Sequence, residues 1–187
     1  MLPSLGETDS GTGYYFDAFC AKSTPTSGCF WGPQLLFDRV PGVYCTSVGY
    51  TQGTEPAPDY QIACSGRSGH TEAIQCYFSE EEVTFEELLT VFWNSIDAST
   101  VNGQGNDRGT QYRTGIYYHS DLQRDAAMGS LRQEESKYSS AIATEIKPAQ
   151  LFWPAEPEHQ DYLKNGWRFG RAQSANKGCT DRIRCYG

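Results

Sequence analysis

The pentapeptide GCFWG, residues 28–32, places Cys29 just ahead of a short predicted helix, 30–39. A thiol at a helix N-terminus faces free backbone N–H groups and the positive end of the helix dipole, which favour the thiolate. We therefore expect the pKa of Cys29 to lie below the ordinary value of about 8.5. Phe30 and Trp31 would form an apolar wall beside the sulfur. Cys29 is thus a candidate nucleophile, with a buried, inert thiol in the core as the ordinary alternative.

The number and spacing of the cysteines fit neither a structural zinc site nor a set of permanent disulfides. The chain has seven, an odd number, without any C-x2-C pair, which argues against a zinc ribbon and a disulfide scaffold. Cys179 and Cys185 lie in a tail, 164–187, that carries six Lys or Arg residues and one Asp. We expect this basic tail to be irregular and to lie on the acidic body, held partly by charge. Cys45 and Cys76 fall in predicted strands and are expected to be packed there.

Composition excludes several classes of protein. A net charge of −8 over 187 residues disfavours non-specific nucleic-acid binding, and no apolar run is long enough to span a bilayer. The polar N-terminus shows no secretory or organellar signal, so we expect a cytoplasmic protein, or a plastid protein if a transit peptide has been removed. Residues 1–26 are predicted to be disordered or loosely attached.

The elements that would position the cysteines are mixed. Helical periodicity predicts helices over 84–96 and 120–141, the first opened by a capping box of Thr84 and Glu87. β-branched and aromatic residues predict three strands, and Pro148 limits a fourth to a sheet edge. The predicted strands cover 43–50, 73–78, 113–118 and 144–152, and a last helical turn begins near Glu158. Without strict βαβ alternation these elements favour an α+β fold.

Several further blocks accompany GCFWG in one order along the chain. They are GYT at 49–51, GHTEA at 69–73, QGND at 104–107, GTQYR at 109–113, EHQDYL at 158–163, KGC at 177–179 and IRCYG at 183–187. Together with Tyr60, Cys64 and Asp97, these blocks resemble the peptide methionine sulfoxide reductase A family over residues 27–187. The ending is similar to that of the plant-type members.

The resemblance implies a fold and a reaction. We expect one domain, 27–187, built as a ferredoxin-like two-layer sandwich with a mixed sheet, long loops and an irregular tail. The family reduces methionine-S-sulfoxide, peptide-bound or free, and thereby repairs oxidised proteins. Cys29 would attack the sulfoxide sulfur, Glu72 would protonate its oxygen, and Tyr60 and Tyr112 would donate hydrogen bonds to that oxygen. Burial would raise the pKa of Glu72 enough to keep its proton.

The same resemblance assigns the other site residues and the partners. Phe30 and Trp31 would hold the S-methyl group, and Asp107 would position the substrate. Attack would leave a sulfenic acid on Cys29, which Cys179 would resolve first before Cys185 exchanges with it. Thioredoxin would then reduce the disulfide. The family implies a monomer with no bound cofactor, no metal, no nucleic acid and no membrane.

Two other function classes stay open on the residues alone. One is a Cys–His hydrolase or transferase in which His70, His119 or His159 pairs with Cys29, and His70 lies two residues from Glu72. The ordinary alternative is that His70 and His159 are hydrogen-bonded structural residues. A non-catalytic methionine-binding or redox-scaffold protein is the other class. The chain also departs from the family pattern, which usually has Glu, Gly and Asn where this sequence has Gln34, Gln52 and Ala57. In the third block Ile96, Ala98 and Gly103 replace the usual His, Pro and Arg.

Overall fold

The computed structural model describes residues 13–18, 29–167 and 170–185, and for 13–18 the backbone alone. Its strands are β1 (Gly13–Ala18), β2 (Val43–Thr51), β3 (Thr71–Ser79), β4 (Gly103–Gln104), β5 (Asp107–Arg108), β6 (Gly115–Tyr118), β7 (Glu145–Pro148) and β8 (Trp153–Pro154). Its α-helices are α1 (Trp31–Asp38), α2 (Tyr60–Cys64), α3 (Phe85–Ser95), α4 (Asp121–Glu135) and α5 (Tyr162–Asn165). Two 3₁₀ turns cover Thr110–Tyr112 and Pro157–His159.

Six strands form one sheet in the order β7-β6-β1-β3-β2-β8. All neighbours are antiparallel except β6 and β7, which are parallel. The longest pairing, β2 with β3, runs from Val43 opposite Phe78 to Thr51 opposite Thr71. This pairing fixes the end of β3 that carries Glu72, because Glu72 lies opposite Tyr50 in the ladder.

The main core lies between one face of this sheet and helices α1, α3 and α4. Alternate residues of β3, Ile74, Cys76 and Phe78, point into it and are almost fully buried. Helix α3 contributes Phe92 and its neighbours on one helical face. The side chain of Thr84 accepts a hydrogen bond from the Glu87 N–H at the start of α3, in the predicted capping box.

The α+β class and the mixed sheet predicted from the sequence are confirmed, and the ferredoxin-like detail stays a prediction. The second long helix is shorter than expected, since α4 ends at Glu135 and not near 141. The hydroxyl of Ser136 there donates to the Gln133 carbonyl oxygen at 2.7 Å, a local bond that competes with helix continuation.

The two terminal segments of the chain differ in structure. Within the predicted loose segment 1–26, residues 13–18 form β1 between β3 and β6, and the rest lies outside the described residues. Residues 170–185 contain no helix or strand. Among the described residues no helix is both long and apolar enough to cross a membrane.

Candidate active site

Cys29 and Glu72 meet at the start of α1. Cys29 immediately precedes the N-cap residue Phe30, and its side chain is buried. Glu72, on β3, is also buried, and its Oε2 accepts a hydrogen bond of 3.0 Å from the Phe30 N–H. The carboxyl group therefore occupies a free N–H at the helix N-terminus beside the thiol. Two candidates 43 positions apart in sequence become neighbours through this one bond.

The buried setting raises the pKa of both groups. Burial raises the pKa of Glu72 to about 8, with the Phe30 hydrogen bond opposing it and the charges of Asp107 and Cys185 adding to it. Glu72 is thus a protonated, neutral acid at neutral pH. Burial likewise raises the pKa of Cys29, assisted by a hydrogen bond with the Cys185 thiol and by the charge of Glu72. The expected lowering of the Cys29 pKa is therefore wrong for the substrate-free protein, because the Trp31 N–H only partly offsets burial.

Two tyrosine hydroxyls lie near the carboxyl group of Glu72. Tyr112 lies in the 3₁₀ turn Thr110–Tyr112, which is tied to β3 because the Thr71 hydroxyl donates to the Gln111 carbonyl oxygen at 3.0 Å. Burial raises the pKa of Tyr60 and of Tyr112, and the charge of Glu72 raises both further. Both phenols therefore keep their protons and can act as hydrogen-bond donors.

Cys64 is a neighbour of both phenols to which sequence reasoning assigned no role. It lies one helical turn after Tyr60 on α2, and its thiol is hydrogen-bonded by the hydroxyls of Tyr60 and Tyr112. Burial raises the pKa of Cys64, so it is a neutral thiol. It gives the two hydroxyls a weak partner in the substrate-free protein.

Glu156 fixes the backbone of Tyr60. Its Oε1 accepts from the Tyr60 N–H at 2.8 Å, and its Oε2 accepts from the Tyr50 hydroxyl at 2.9 Å. Tyr50 lies on β2 and is fully buried, so Glu156 ties the first residue of α2 to the central sheet. No sequence pattern pointed to this residue, because its partners lie about one hundred positions earlier in the chain.

Aromatic rings cluster around the two residues that follow Cys29. Trp31 stacks on Tyr162 with ring centroids 3.7 Å apart, and His159 stacks between Trp31 at 5.7 Å and Tyr60 at 5.1 Å. Phe30, buried in the core, lies 5.5 Å from the His159 ring. The sequence predicted Phe30 and Trp31 here but treated His159 as structural. Its position in the EHQDYL block was the signal available.

The structure brings Cys185 and not Cys179 to Cys29. Cys185 is buried with Leu35 and Ile183 in a small apolar cluster, and its thiol is hydrogen-bonded to that of Cys29. Cys179 follows Gly178, whose N–H donates to the Arg39 carbonyl oxygen at the other end of α1. The geometry therefore favours the reverse of the order expected for the two tail cysteines.

Three other cysteines can be assigned more briefly. Cys76 is buried in β3 as expected. Cys45, also expected to be packed, is exposed on β2, so that prediction is wrong. Cys20 lies outside the described residues.

The tail is held mainly by hydrogen bonds to backbone groups and less by the charge attraction we expected. The Lys177 ammonium donates to the carbonyl oxygens of Asp38 and Val43. The guanidinium of Arg39 donates to the carbonyl oxygens of Ser174 and Asp181. Carbonyl groups, and not carboxylates, are therefore the partners of these two cations.

His70 does not form a pair with Cys29. Its Nε2 lies 2.8 Å from the Glu55 carbonyl oxygen, and its ring packs against Gly53, where a Cβ atom would come within 2.3 Å. The hydrolase alternative with His70 as the base is therefore not supported. Nor do the described residues contain a group of three or more His, Cys, Asp or Glu side chains arranged to hold a metal ion.

The departures from the family pattern have structural consequences. Gln52 and Ala57 adopt positive φ angles of 65° and 50°, in a region that glycine and asparagine occupy at lower cost. The loop thus keeps a left-handed backbone at both positions. Gln34 is buried, and its Oε1 accepts from the Asp161 N–H at 2.8 Å, so it links α1 to the segment before α5. None of the three belongs to the group around Cys29 and Glu72.

Comparisons with known proteins agree with these blocks. The model of the peptide methionine sulfoxide reductase family matches residues 21–183. The chain is 50% identical to peptide methionine sulfoxide reductase A3 of Arabidopsis thaliana over 86% of its own length and 80% of that relative. It is 48% identical to the chloroplastic A4 protein of the same plant but spans only 62% of that relative's length.

The fold of the chain is similar to that of solved structures of yeast Mxr1. The reduced form of Mxr1 from Saccharomyces cerevisiae superposes with a TM-score of 0.77 at 28% identity, covering 91% of this chain and 94% of that one. A second structure, Mxr1 in complex with Trx2, has a TM-score of 0.55 at 20% identity, covering 84% and 90%, and shows likeness of fold alone.

The raised pKa of Glu72 predicts a pH-dependent stability. A carboxyl group whose folded pKa is raised stabilises the fold fully below its unfolded pKa of about 4.3, and this contribution is lost as pH rises to about 8. Between these two pH values, the free energy of unfolding of the unaltered protein should fall by on the order of 3–5 kcal/mol relative to that of Glu72→Gln. Urea unfolding at pH 5, 7 and 9 measures it. Glu82→Gln, at an exposed carboxylate, is the matched control, and a difference for Glu72→Gln that is constant with pH would contradict the prediction.

Proposed function

The chain belongs to the peptide methionine sulfoxide reductase family, and we propose that Cys29 and Glu72 carry the reduction in this protein. Membership makes the chain an oxidoreductase that reduces methionine sulfoxide with a thiol. The proposal concerns which side chains act and in which order. Its premise is the pairing of a buried thiol with a neutral carboxylic acid at one helix N-terminus.

The first step is attack of Cys29 on the sulfoxide sulfur. Attack forms a bond between Cys29 Sγ and the substrate sulfur while Glu72 protonates the oxygen, and the thiol proton restores the Glu72 acid. The hydroxyl group then passes to Cys29 Sγ as the sulfur–oxygen and sulfur–sulfur bonds break, which leaves a sulfenic acid on Cys29 and releases methionine. A sulfoxide oxygen is a poor leaving group until it is protonated, so the proton on Glu72 is the essential contribution. Oε2 of Glu72 is engaged with the Phe30 N–H, which leaves Oε1 to carry that proton. The Cys29 thiol loses its proton as the oxygen gains one.

The two tyrosines bind the oxygen in this scheme. Their raised pKa values support a donor role for both Tyr60 and Tyr112. A sulfoxide oxygen is a stronger acceptor than the thiol of Cys64, so substrate would draw the hydroxyls away from that weak partner. Asp107, whose charge acts on Glu72, would position the substrate.

The aromatic cluster supplies the methyl pocket. The rings of Phe30, Trp31 and His159 contact one another next to the start of α1, and an S-methyl group bound there would gain dispersion contacts. We propose the S epimer as substrate on the basis of the family, either free or within a protein chain. Repair of oxidised proteins is the corresponding role.

The second step forms a disulfide. The Cys185 thiolate attacks the sulfenic sulfur of Cys29, the Cys29–Cys185 bond forms and hydroxide leaves, so that water is the product after protonation. The hydrogen bond between the two thiols supports Cys185 as the first resolving residue. Cys179 then attacks Cys185, releases Cys29 and leaves a disulfide within the tail.

Recycling needs an external dithiol. We propose thioredoxin, because the yeast relative Mxr1 has been solved in complex with Trx2. No bound cofactor enters the scheme. We further propose a monomer in the cytoplasm, with the plastid as the alternative, since one relative is named as chloroplastic.

The proposed function makes Cys29 indispensable. The variant Cys29→Ser should form no methionine from S-epimer methionine sulfoxide in a single turnover, because a serine hydroxyl stays protonated and is a weak nucleophile. Methionine is quantified by chromatography after mixing equimolar enzyme and substrate. Cys45→Ser, at an exposed thiol, is the control and should form as much methionine as the unaltered protein in a single turnover. Undiminished product from Cys29→Ser would exclude the proposal.

The acid role of Glu72 predicts a pH profile. Its pKa of about 8 means that the protonated fraction falls as pH rises through that value, so the single-turnover rate should drop about ten-fold per pH unit above it. The variant Glu72→Gln should react about 10²–10⁴-fold more slowly, and its rate should no longer fall as pH rises above 8. Rapid-quench kinetics between pH 6 and 10 measure both, with Glu82→Gln as control. A full-rate Glu72→Gln enzyme would place the acid elsewhere.

The order of the tail cysteines is separable by variants. After one equivalent of substrate, Cys179→Ser should form the Cys29–Cys185 disulfide at the unaltered rate, whereas Cys185→Ser should accumulate the sulfenic acid. Thioredoxin-coupled turnover should decrease in both. Peptide mapping of the quenched protein identifies the bonds. Rapid formation of a Cys29–Cys179 bond in Cys185→Ser would reverse the order.

A further inference from the structure

We propose that Arg39 is a positioning residue for disulfide formation, because it holds the tail at one end of α1 so that Cys185 lies against Cys29 at the other. This inference rests on the proposed function and concerns only its second step, in which Cys29–SOH and Cys185–SH join with loss of water. Arg39 touches neither the substrate pocket nor either sulfur. It would act through the tail alone.

The contacts of Arg39 are unusual for a charged side chain. It is the C-cap residue of α1 and only 6% exposed. Its Nε donates to the Ser174 carbonyl oxygen at 2.8 Å and one terminal nitrogen donates to the Asp181 carbonyl oxygen at 2.6 Å. Its own carbonyl oxygen accepts from the Gly178 N–H at 2.7 Å. A single residue thus binds the tail at three points.

Burying a guanidinium group requires compensation. Within the described part of the chain no carboxylate pairs with Arg39, so the two tail carbonyls replace the water that it loses. Without the guanidinium group, residues 174–181 would keep at this end of the helix only the backbone bond of Gly178 to Arg39 and the bonds of the Lys177 ammonium to the Asp38 and Val43 carbonyl oxygens. Hydrogen bonds to a charged donor contribute more than neutral ones, so this attachment is stronger than an ordinary loop contact.

The dimensions of α1 and the tail match. Helix α1 has eight residues, which span about 12 Å. The four peptide steps from Asp181 to Cys185 span at most about 13–14 Å when extended. Asp181 lies at the C-terminal end of the helix beside Arg39, and Cys185 at its N-terminal end beside Cys29. Between them Ile183 packs in one cluster with Leu35 of α1. The length of α1 therefore determines that the tail residue lying opposite Cys29 is Cys185 when Asp181 is held by Arg39.

A second attachment lies next to Cys185 itself. The Gln173 amide accepts from the Arg184 N–H at 2.8 Å and donates to the Arg184 carbonyl oxygen at 2.7 Å. The Gln173 N–H in turn donates to the Leu163 carbonyl oxygen at 2.9 Å. This pair fixes the residue before Cys185 to α5, independently of Arg39. It supplies a second site at which the inference can be tested.

The experiment separates the two chemical steps. Arg39→Met keeps the apolar stem and removes the guanidinium group, and Gln173→Leu removes both amide hydrogen bonds at similar size. In each variant the first round of methionine formation should be unchanged. Formation of the Cys29–Cys185 disulfide should slow by about ten-fold or more in Arg39→Met, which loses two hydrogen bonds from a charged donor, and by about ten-fold in Gln173→Leu, which loses two neutral ones. Dimedone labelling should trap correspondingly more sulfenic acid. Arg39→Lys, which can still donate, should be intermediate.

The controls distinguish the inference from the proposed function. Arg182→Met removes the same charge from an exposed tail position and should form the disulfide at the unaltered rate. An unaltered disulfide rate in Arg39→Met would overturn the inference, since packing of Ile183 and the Gln173 attachment would then place Cys185 without it. A parallel loss of the first round in Arg39→Met would also overturn it. Failure of the proposed function itself would appear instead as methionine formation by Cys29→Ser.

Discussion

One hydrogen bond, from the Phe30 N–H to the Glu72 carboxyl group, is the constraint on which the site depends. It joins the second residue of β3 to the start of α1. It lies in a buried region, where ionisation of the Glu72 carboxyl group costs desolvation free energy. Glu72 therefore stays protonated, and the same burial keeps neighbouring thiols and phenols neutral. The site is a set of uncharged donors around one potential nucleophile. A neutral, polar group such as a sulfoxide can enter it without meeting a fixed charge at the reacting atoms.

Helix α1 connects the chemistry of this site to the tail. Its N-terminus carries the thiol and its C-terminus carries Arg39, so any displacement of the helix moves both attachment points together. The partners of the tail cations are carbonyl groups, which cannot lose their capacity to accept hydrogen bonds by protonation, as carboxylates can. The attachment therefore does not weaken through protonation of its acceptors at acidic pH. That suits a segment whose thiol must meet a short-lived sulfenic acid.

Local signals predicted the regular elements well, and long-range contacts account for the misses. The period of apolar residues and the capping box at Thr84 located α3 to within a residue at each end. Strand β1 depends instead on pairing with β3, about sixty positions later in the chain, and local composition there indicated a loose segment. In the site, motif blocks identified Cys29 and Glu72, whose proximity spacing alone could not reveal. Glu156 was not singled out and Cys64 was given no role, because what each does arises only from contacts in the folded chain.

The raised pKa of Cys29 looks at first like an obstacle to nucleophilic attack, yet it follows from the requirement for an acid. A surface that keeps Glu72 protonated must exclude water, and exclusion of water also penalises the thiolate. Ionised Glu72 would oppose the thiolate further, so only the protonated acid is compatible with a reactive Cys29. The two groups are thus coupled through charge, and in the proposed reaction the proton that the sulfoxide oxygen gains would be released from the pair as a whole. In that scheme the Trp31 N–H, a backbone donor directed at the sulfur, would stabilise the thiolate as it forms.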